Sequence, residues 1–143
     1  MVLDKVISKQ TIKFGVPANT DKWTLITDLV DLIIQSAGGG DRHAILSAVI
    51  DREKAGSTGL ENGVAIPHAR SSNITDLVAA LAISKEGMDF DSADGRPCHL
   101  VFLIVAPPKE STRYLRALAD VAFIGSGPER VRELVGVGSA DEA

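Results

Sequence analysis

The segment "HLVFLIVAPP", His99 to Pro108, decides the fold. From Leu100 to Ala106 it is apolar without a break, rich in Val, Ile and Phe, and closed by two prolines, which reads as a strand. The run is far too short to cross a bilayer. Its lack of alternation suits a strand covered on both faces rather than one with a wet side. "LVAALAI", Leu77 to Ile83, has the same character and is read as a second buried strand, although alanine is a weak strand former.

Around these runs the spacing turns helical. Trp23, Ile26, Val30, Ile33 and Ala37 recur at three- and four-residue intervals, and Gly38, Gly39 and Gly40 stop that helix. Asp41 caps a second helix, whose inner face carries Ile45, Ala48 and Val49, whose last turns hold Arg52 and Lys54, and which Gly56 ends. A third helix starts at Ser111 or Thr112, with Leu115, Leu118 and Ala122 on one side. "SGPERVREL" announces a fourth, with Ser126 three residues before Glu129 and Pro128 in the first turn. "TIKFGV", Thr11 to Val16, reads as a short strand ended by Gly15 and Pro17. Ser139 repeats the capping-box spacing just before Ala143, the mark of a terminal helix announced and lost. Helices alternating with buried strands make an α/β layered domain.

The 143 residues suit one domain, 1–143, with enough chain to bury a core. A formal charge of -4 and no basic stripe argue against nucleic acid as a partner. The single cysteine, Cys98, excludes an internal disulfide and a Cys-based zinc cluster, and it reads as an inert buried thiol. Charges at Asp4, Lys5 and Lys9 interrupt the N-terminus, so no signal peptide and no membrane insertion is expected, and a cytoplasmic location follows.

The segment with chemistry is "GSTGLENGVAIPHAR", Gly56 to Arg70. Gly59 and Gly63 allow tight turns, "VAI" ties the segment into the core, and Pro67 stiffens the backbone just before His68. An ordinary structural histidine is the bland reading, but an imidazole on a stiff mount is how functional side chains are presented. No G-x-S-x-G elbow accompanies it, and no phosphate-binding G-x-x-x-x-G-K-[S/T] is present. Zinc would need about three ligands from His43, His68, His99 and Cys98, and the adjacent Cys98 and His99 diverge on a strand. What remains is a neutral imidazole attacking phosphorus, with loop N–H groups around the phosphoryl oxygens.

"REKAGSTGLENGVAIPHAR" resembles the active-site signature of the type-2 IIA domains of the bacterial phosphoenolpyruvate-dependent phosphotransferase system, and the resemblance runs from Leu3 to about Val137. It implies a three-layer α/β domain with a mixed sheet flanked by helices on both faces. It also implies that His68 is phosphorylated by an HPr-type carrier, without cofactor or metal, and hands the group to a IIB domain or signals to a regulatory target. By the same resemblance Arg52, on the helix before the signature, is a phosphate neutraliser, and a guanidinium fork suits that task. Two positions depart from the pattern. Tyr114 stands where relatives carry a second histidine, and it can donate one hydrogen bond but cannot become cationic near neutral pH. Glu61 replaces a common glycine and adds a carboxylate. Arg113, beside Tyr114, is an alternative source of charge, and Arg113 with Arg116 could form part of a partner face. His43 reads as exposed and Trp23 as core.

Three functions fit. One is a phosphohistidine carrier of the nitrogen-regulatory type, towards which "GSTG" leans. Another is a regulatory module that docks on a transporter or regulator and is rarely phosphorylated, which Tyr114 favours. The third is a sugar-specific IIA component, which shares most of the signature. A degenerate structural domain would leave the stiff mount of His68 without a purpose.

Overall fold

The computed structural model describes residues 1–136. Along the chain lie α1 (Leu3–Val6), β1 (Ile12–Lys13), α2 (Lys22–Ala37), α3 (Arg42–Ala55), β2 (Val64–Ala65), β3 (His68–Arg70), β4 (Val78–Met88), β5 (Cys98–Ala106), α4 (Ser111–Gly125) and α5 (Pro128–Val135). The expected α/β layering with a mixed sheet is present. β4 is parallel to β1 and antiparallel to β5, while β2 and β3 both run parallel to β5 along its other side.

β5 organises the core because both its faces are covered. Val101, Leu103 and Val105 pack with Leu25, Ile33, Ile45 and Val49 of α2 and α3. Leu100, Phe102 and Ile104 pack with Ala117, Val121 and Ile124 of α4 and with Val131 of α5. Each such large side chain contributes about 1.5–3 kcal/mol on burial, which is why this strand shows no polar alternation. Ala80 and Ala82 of β4 join the first cluster and Ala79, Leu81 and Ile83 the second. The alanines of β4 are therefore a packing choice that lets helices approach both faces.

The sequence placed most boundaries correctly. Gly38 ends α2 in the left-handed region at φ 76°, and the Asp41 carboxylate accepts the Ala44 N–H at 3.1 Å at the start of α3. Three expectations need correction. The strand at residues 11–16 is only Ile12–Lys13, because Thr11 closes a 3-10 turn and Gly15 at φ 67° turns the chain, although Val16 N–H still reaches the Ile83 carbonyl. α4 is rotated from its expected face: Tyr114, Ala117, Val121 and Ile124 are buried, whereas Leu115 is 57% exposed. Apolar residues occur on both sides of this helix, so periodicity alone does not select the inner one. Ser126 does not cap α5, whose cap position is Gly127; its hydroxyl donates to Phe123 O at the end of α4. Pro128 does open α5. The capping-box spacing at Ser139 lies outside the described residues.

These two serine and aspartate positions can be told apart by stability. Asp41→Ala should cost about 1 kcal/mol, the usual worth of a helix N-cap, whereas Ser126→Ala should cost clearly less. Urea denaturation of the two variants beside wild type measures the difference.

Candidate active site

The site is built from the last turn of α3 upward. Glu53 is only 2% exposed, and its carboxylate accepts the Thr58 N–H at 2.7 Å and the Thr58 hydroxyl. The Lys22 ammonium, at the start of α2, meets the same carboxylate at 2.9 Å and stands over the Trp23 and Phe90 rings. A buried carboxylate is tolerated only when paired and hydrogen-bonded, and here it is both. The result is that the glycine-rich segment is pinned where it leaves α3. Gly59 then passes so close to Ser92 that a Cβ would lie 2.4 Å from the Ser92 hydroxyl.

Asn62 and Gly63 follow in the left-handed region, at φ 61° and 77°, a conformation that asparagine and glycine adopt readily. The Asn62 side chain donates to the Gly125 carbonyl at 2.7 Å, fastening this turn to the end of α4. Leu60 N–H reaches Val64 O and Ile66 N–H reaches Thr58 O, so the segment is also tied to itself. Pro67 is buried and its carbonyl accepts the Ile104 N–H at 3.1 Å. His68 therefore emerges from a backbone held at both ends.

The His68 Nδ1 lies 2.6 Å from the Ile66 carbonyl oxygen. A carbonyl can only accept, so Nδ1 carries the hydrogen and the lone pair of the neutral ring sits on Nε2. Burial holds the His68 pKa below its usual value; the Ile66 carbonyl opposes this, the Arg52 charge assists it, and the Glu53 charge opposes it. Near pH 7 the ring is thus kept in its nucleophilic form. The Tyr114 ring, buried, stands 6.1 Å away between centroids at 55°. Burial raises the Tyr114 pKa, with Arg70 and Arg52 pulling the other way, so its hydroxyl stays a neutral donor.

Arg52 is exposed, and its guanidinium donates to the Gly56 carbonyl at 2.8 Å while its charge is felt by both His68 and Tyr114. Arg113 is committed elsewhere. It pairs with Glu110 at 2.9 Å, and Glu110 in turn accepts the Leu77 N–H, so Arg113 is not the substitute charge that the sequence suggested. The second charge comes from Arg70, whose guanidinium lies 5.0 Å above the Tyr114 ring. Residues 68 and 70 of one strand share a face, so the signal was the H-x-R spacing within β3. Glu61 is exposed on its turn, and the carboxylate acting on His68 is that of Glu53. His43 is exposed, Trp23 is partly buried against the core, and Cys98 is buried with burial raising its pKa.

Comparison with known proteins places the chain in a family. The sequence profile of "Phosphoenolpyruvate-dependent sugar phosphotransferase system, EIIA 2" matches residues 5–143. The chain is 32% identical over 141 residues to the fructose-specific EIIABC component of Bacillus subtilis, covering 99% of this chain and 22% of that protein. It is 29% identical to the nitrogen regulatory protein of Pseudomonas aeruginosa, over 84% of this chain and 77% of that one. In three dimensions it is similar to the nitrogen regulatory protein IIA-Ntr of Neisseria meningitidis, with TM-score 0.88, 27% identity, and coverage of 99% of this chain and 96% of that chain. The chain belongs to the type-2 EIIA family of the phosphotransferase system. No helix among the described residues is long and apolar enough to cross a membrane.

Two measurements check the site. The His68 imidazole should titrate below 6.5 by NMR, and Arg52→Gln should raise that value by removing a cation that disfavours the protonated ring. The sign for stability follows from the depressed folded value: the His68 contribution is complete above the ordinary histidine pKa and is lost as pH falls through the folded one. Glu53→Ala should cost about 3–5 kcal/mol in urea denaturation, because it leaves the Lys22 ammonium desolvated and alone.

Proposed function

We propose that the chain is a phosphohistidine carrier of the nitrogen-regulatory type, with residues 1–143 acting as one unit. His68 accepts a phosphoryl group from the phosphohistidine of an HPr-type protein. The observation that carries this reading is the Nδ1–H bond to the Ile66 carbonyl, which leaves the Nε2 lone pair as the attacking one. As the Nε2–P bond forms, the bond from phosphorus to the donor imidazole breaks. The donor nitrogen leaves with the electron pair. The His68 ring gains cationic character in this step, and the Ile66 carbonyl faces its Nδ1–H and stabilises that charge.

The neighbours divide the remaining work. Arg70 and Arg52 supply positive charge for the phosphoryl oxygens, and the Tyr114 hydroxyl offers one neutral hydrogen bond. Exposed Leu115, one residue beyond Tyr114, gives a transient partner an apolar contact on the outer side of α4. The acceptor is then a IIB domain or a regulatory target in the cytoplasm. The nitrogen-regulatory branch is supported by the likeness to IIA-Ntr over almost all of both chains.

The test is to incubate the chain with phosphoenolpyruvate and the purified relay proteins and measure the mass. An acid-labile, base-stable phosphoryl adduct is expected on wild type and absent from His68→Ala. Arg70→Gln should slow labelling by about tenfold or more, consistent with removing one charge-assisted contact to the moving group, with its thermal midpoint little changed. Tyr114→Phe should slow it less. The wild-type rate should fall as pH drops through the depressed His68 pKa and level off above it. Wild type that stays unlabelled while an authentic IIA domain is labelled in parallel would overturn the carrier reading and leave the docking module.

A further inference from the structure

At the far end of the sheet from His68 lies a cavity of about 750 Å³ whose walls carry Lys85, Arg96, Arg132 and His99 and no carboxylate. His99 is the second residue of β5 and His68 pairs with Ile104, so roughly 16 Å of strand separates the two places. In a chain of net charge -4, three cations converging on one hollow is a departure from the rest of the surface. Among the described residues no carboxylate pairs with Lys85, Arg96 or Arg132.

The imidazole in this cavity, like that of His68, is anchored to a backbone carbonyl through its Nδ1. His99 Nδ1 lies 2.9 Å from the Ser84 carbonyl oxygen, so it carries the hydrogen and donates, and Nε2 of the neutral ring remains an acceptor. Gly63 and Gly87 flank the ring. A Cβ on Gly63 would lie 3.0 Å from His99 Cδ2, and one on Gly87 would lie 2.9 Å from Cε1. Both glycines have positive φ, at 77° and 82°, so backbone and ring are fitted to one another. Pro97, Val131 and Val135 supply apolar wall.

We propose that this cavity is a binding site for a small organic phosphate carrying at least two negative charges. Two guanidinium forks and an ammonium match phosphate oxygens, the His99 Nε2 accepts from a hydroxyl of the organic portion, and the apolar wall covers its carbon skeleton. The volume suits a metabolite-sized molecule. The site is independent of the phosphoryl-transfer reading, since it shares no side chain with the His68 cluster. Asn62 and Gly63, which line it, do begin the segment that leads to His68.

The experiment uses the full chain, calorimetry and amide NMR, with ribose 5-phosphate, pyrophosphate, citrate and ribose as probes. Ribose 5-phosphate and pyrophosphate should bind and shift the Gly63, Gly87 and His99 signals, whereas ribose should not. The double variant Arg96→Gln with Arg132→Gln should bind about tenfold or more weakly, as expected for the loss of two charge-assisted contacts. Both arginines are exposed and unpaired with acids, so its thermal midpoint should stay near that of wild type. His68→Ala should bind like wild type, which separates this site from the active site. Each of these results would overturn the proposal: no response at about 10 mM phosphate ester, unchanged affinity in the double variant, loss of binding in His68→Ala, or citrate binding as tightly as pyrophosphate. A single-stranded oligonucleotide that binds more tightly than any small probe would overturn it too.

Discussion

Everything around the histidine depends on one buried carboxylate. Glu53 holds the backbone and hydroxyl of Thr58 and the ammonium of Lys22, so the start of α2, the end of α3 and the signature segment meet at a single side chain. Taking both charges out of water is costly, and their attraction with good hydrogen-bond geometry is needed to offset it. Such a knot specifies arrangement more than it adds stability. Slide the segment by one residue and Thr58 no longer presents both donors to the carboxylate. The position of His68, ten residues beyond Thr58, is therefore set partly by a carboxylate on α3.

The sheet completes that placement. β2 and β3 lie end to end beside β5, and the interruption between them at Ile66 and Pro67 is where the Ile66 carbonyl turns to meet the imidazole. β3 places His68 and Arg70 on the side of α4, which brings Tyr114 to both. Tyr114 carries no charge, yet the site does not lack it, because Arg70 and Arg52 stand near. The arrangement keeps the His68 ring neutral and its surroundings cationic, which are the two conditions that the proposed attack on a phosphoryl group needs.

Legibility from sequence followed how local each cause is. β5 and the strand part of β4 could be read because two-sided burial erases alternation within a few residues. The ends of α2 and the start of α3 could be read because Gly38 and Asp41 act on their own backbone neighbours. The inner face of α4 could not be read, since Leu115, Ala119, Ala122 and Phe123 form an outward apolar row that competes with Tyr114, Ala117, Val121 and Ile124. Ser126 was ambiguous because it lies between two helices and serves the earlier one. His68 was legible through its mount and the family resemblance. Arg70 was hidden in a strand too short to show a period, and the Glu53–Lys22 pair was hidden because nothing near either residue announces the other.

The signature segment has a further effect beyond its hold on His68. β2 and β3 form one margin of the sheet, and a margin with free N–H and C=O groups invites strands from other molecules. Here residues 58–60 fold back along β2, so that Ile66 N–H and Val64 O are already taken by Thr58 and Leu60, while the opposite margin, β1, is only two residues long. Neither margin offers a long open ladder onto which a second copy of the chain could zip.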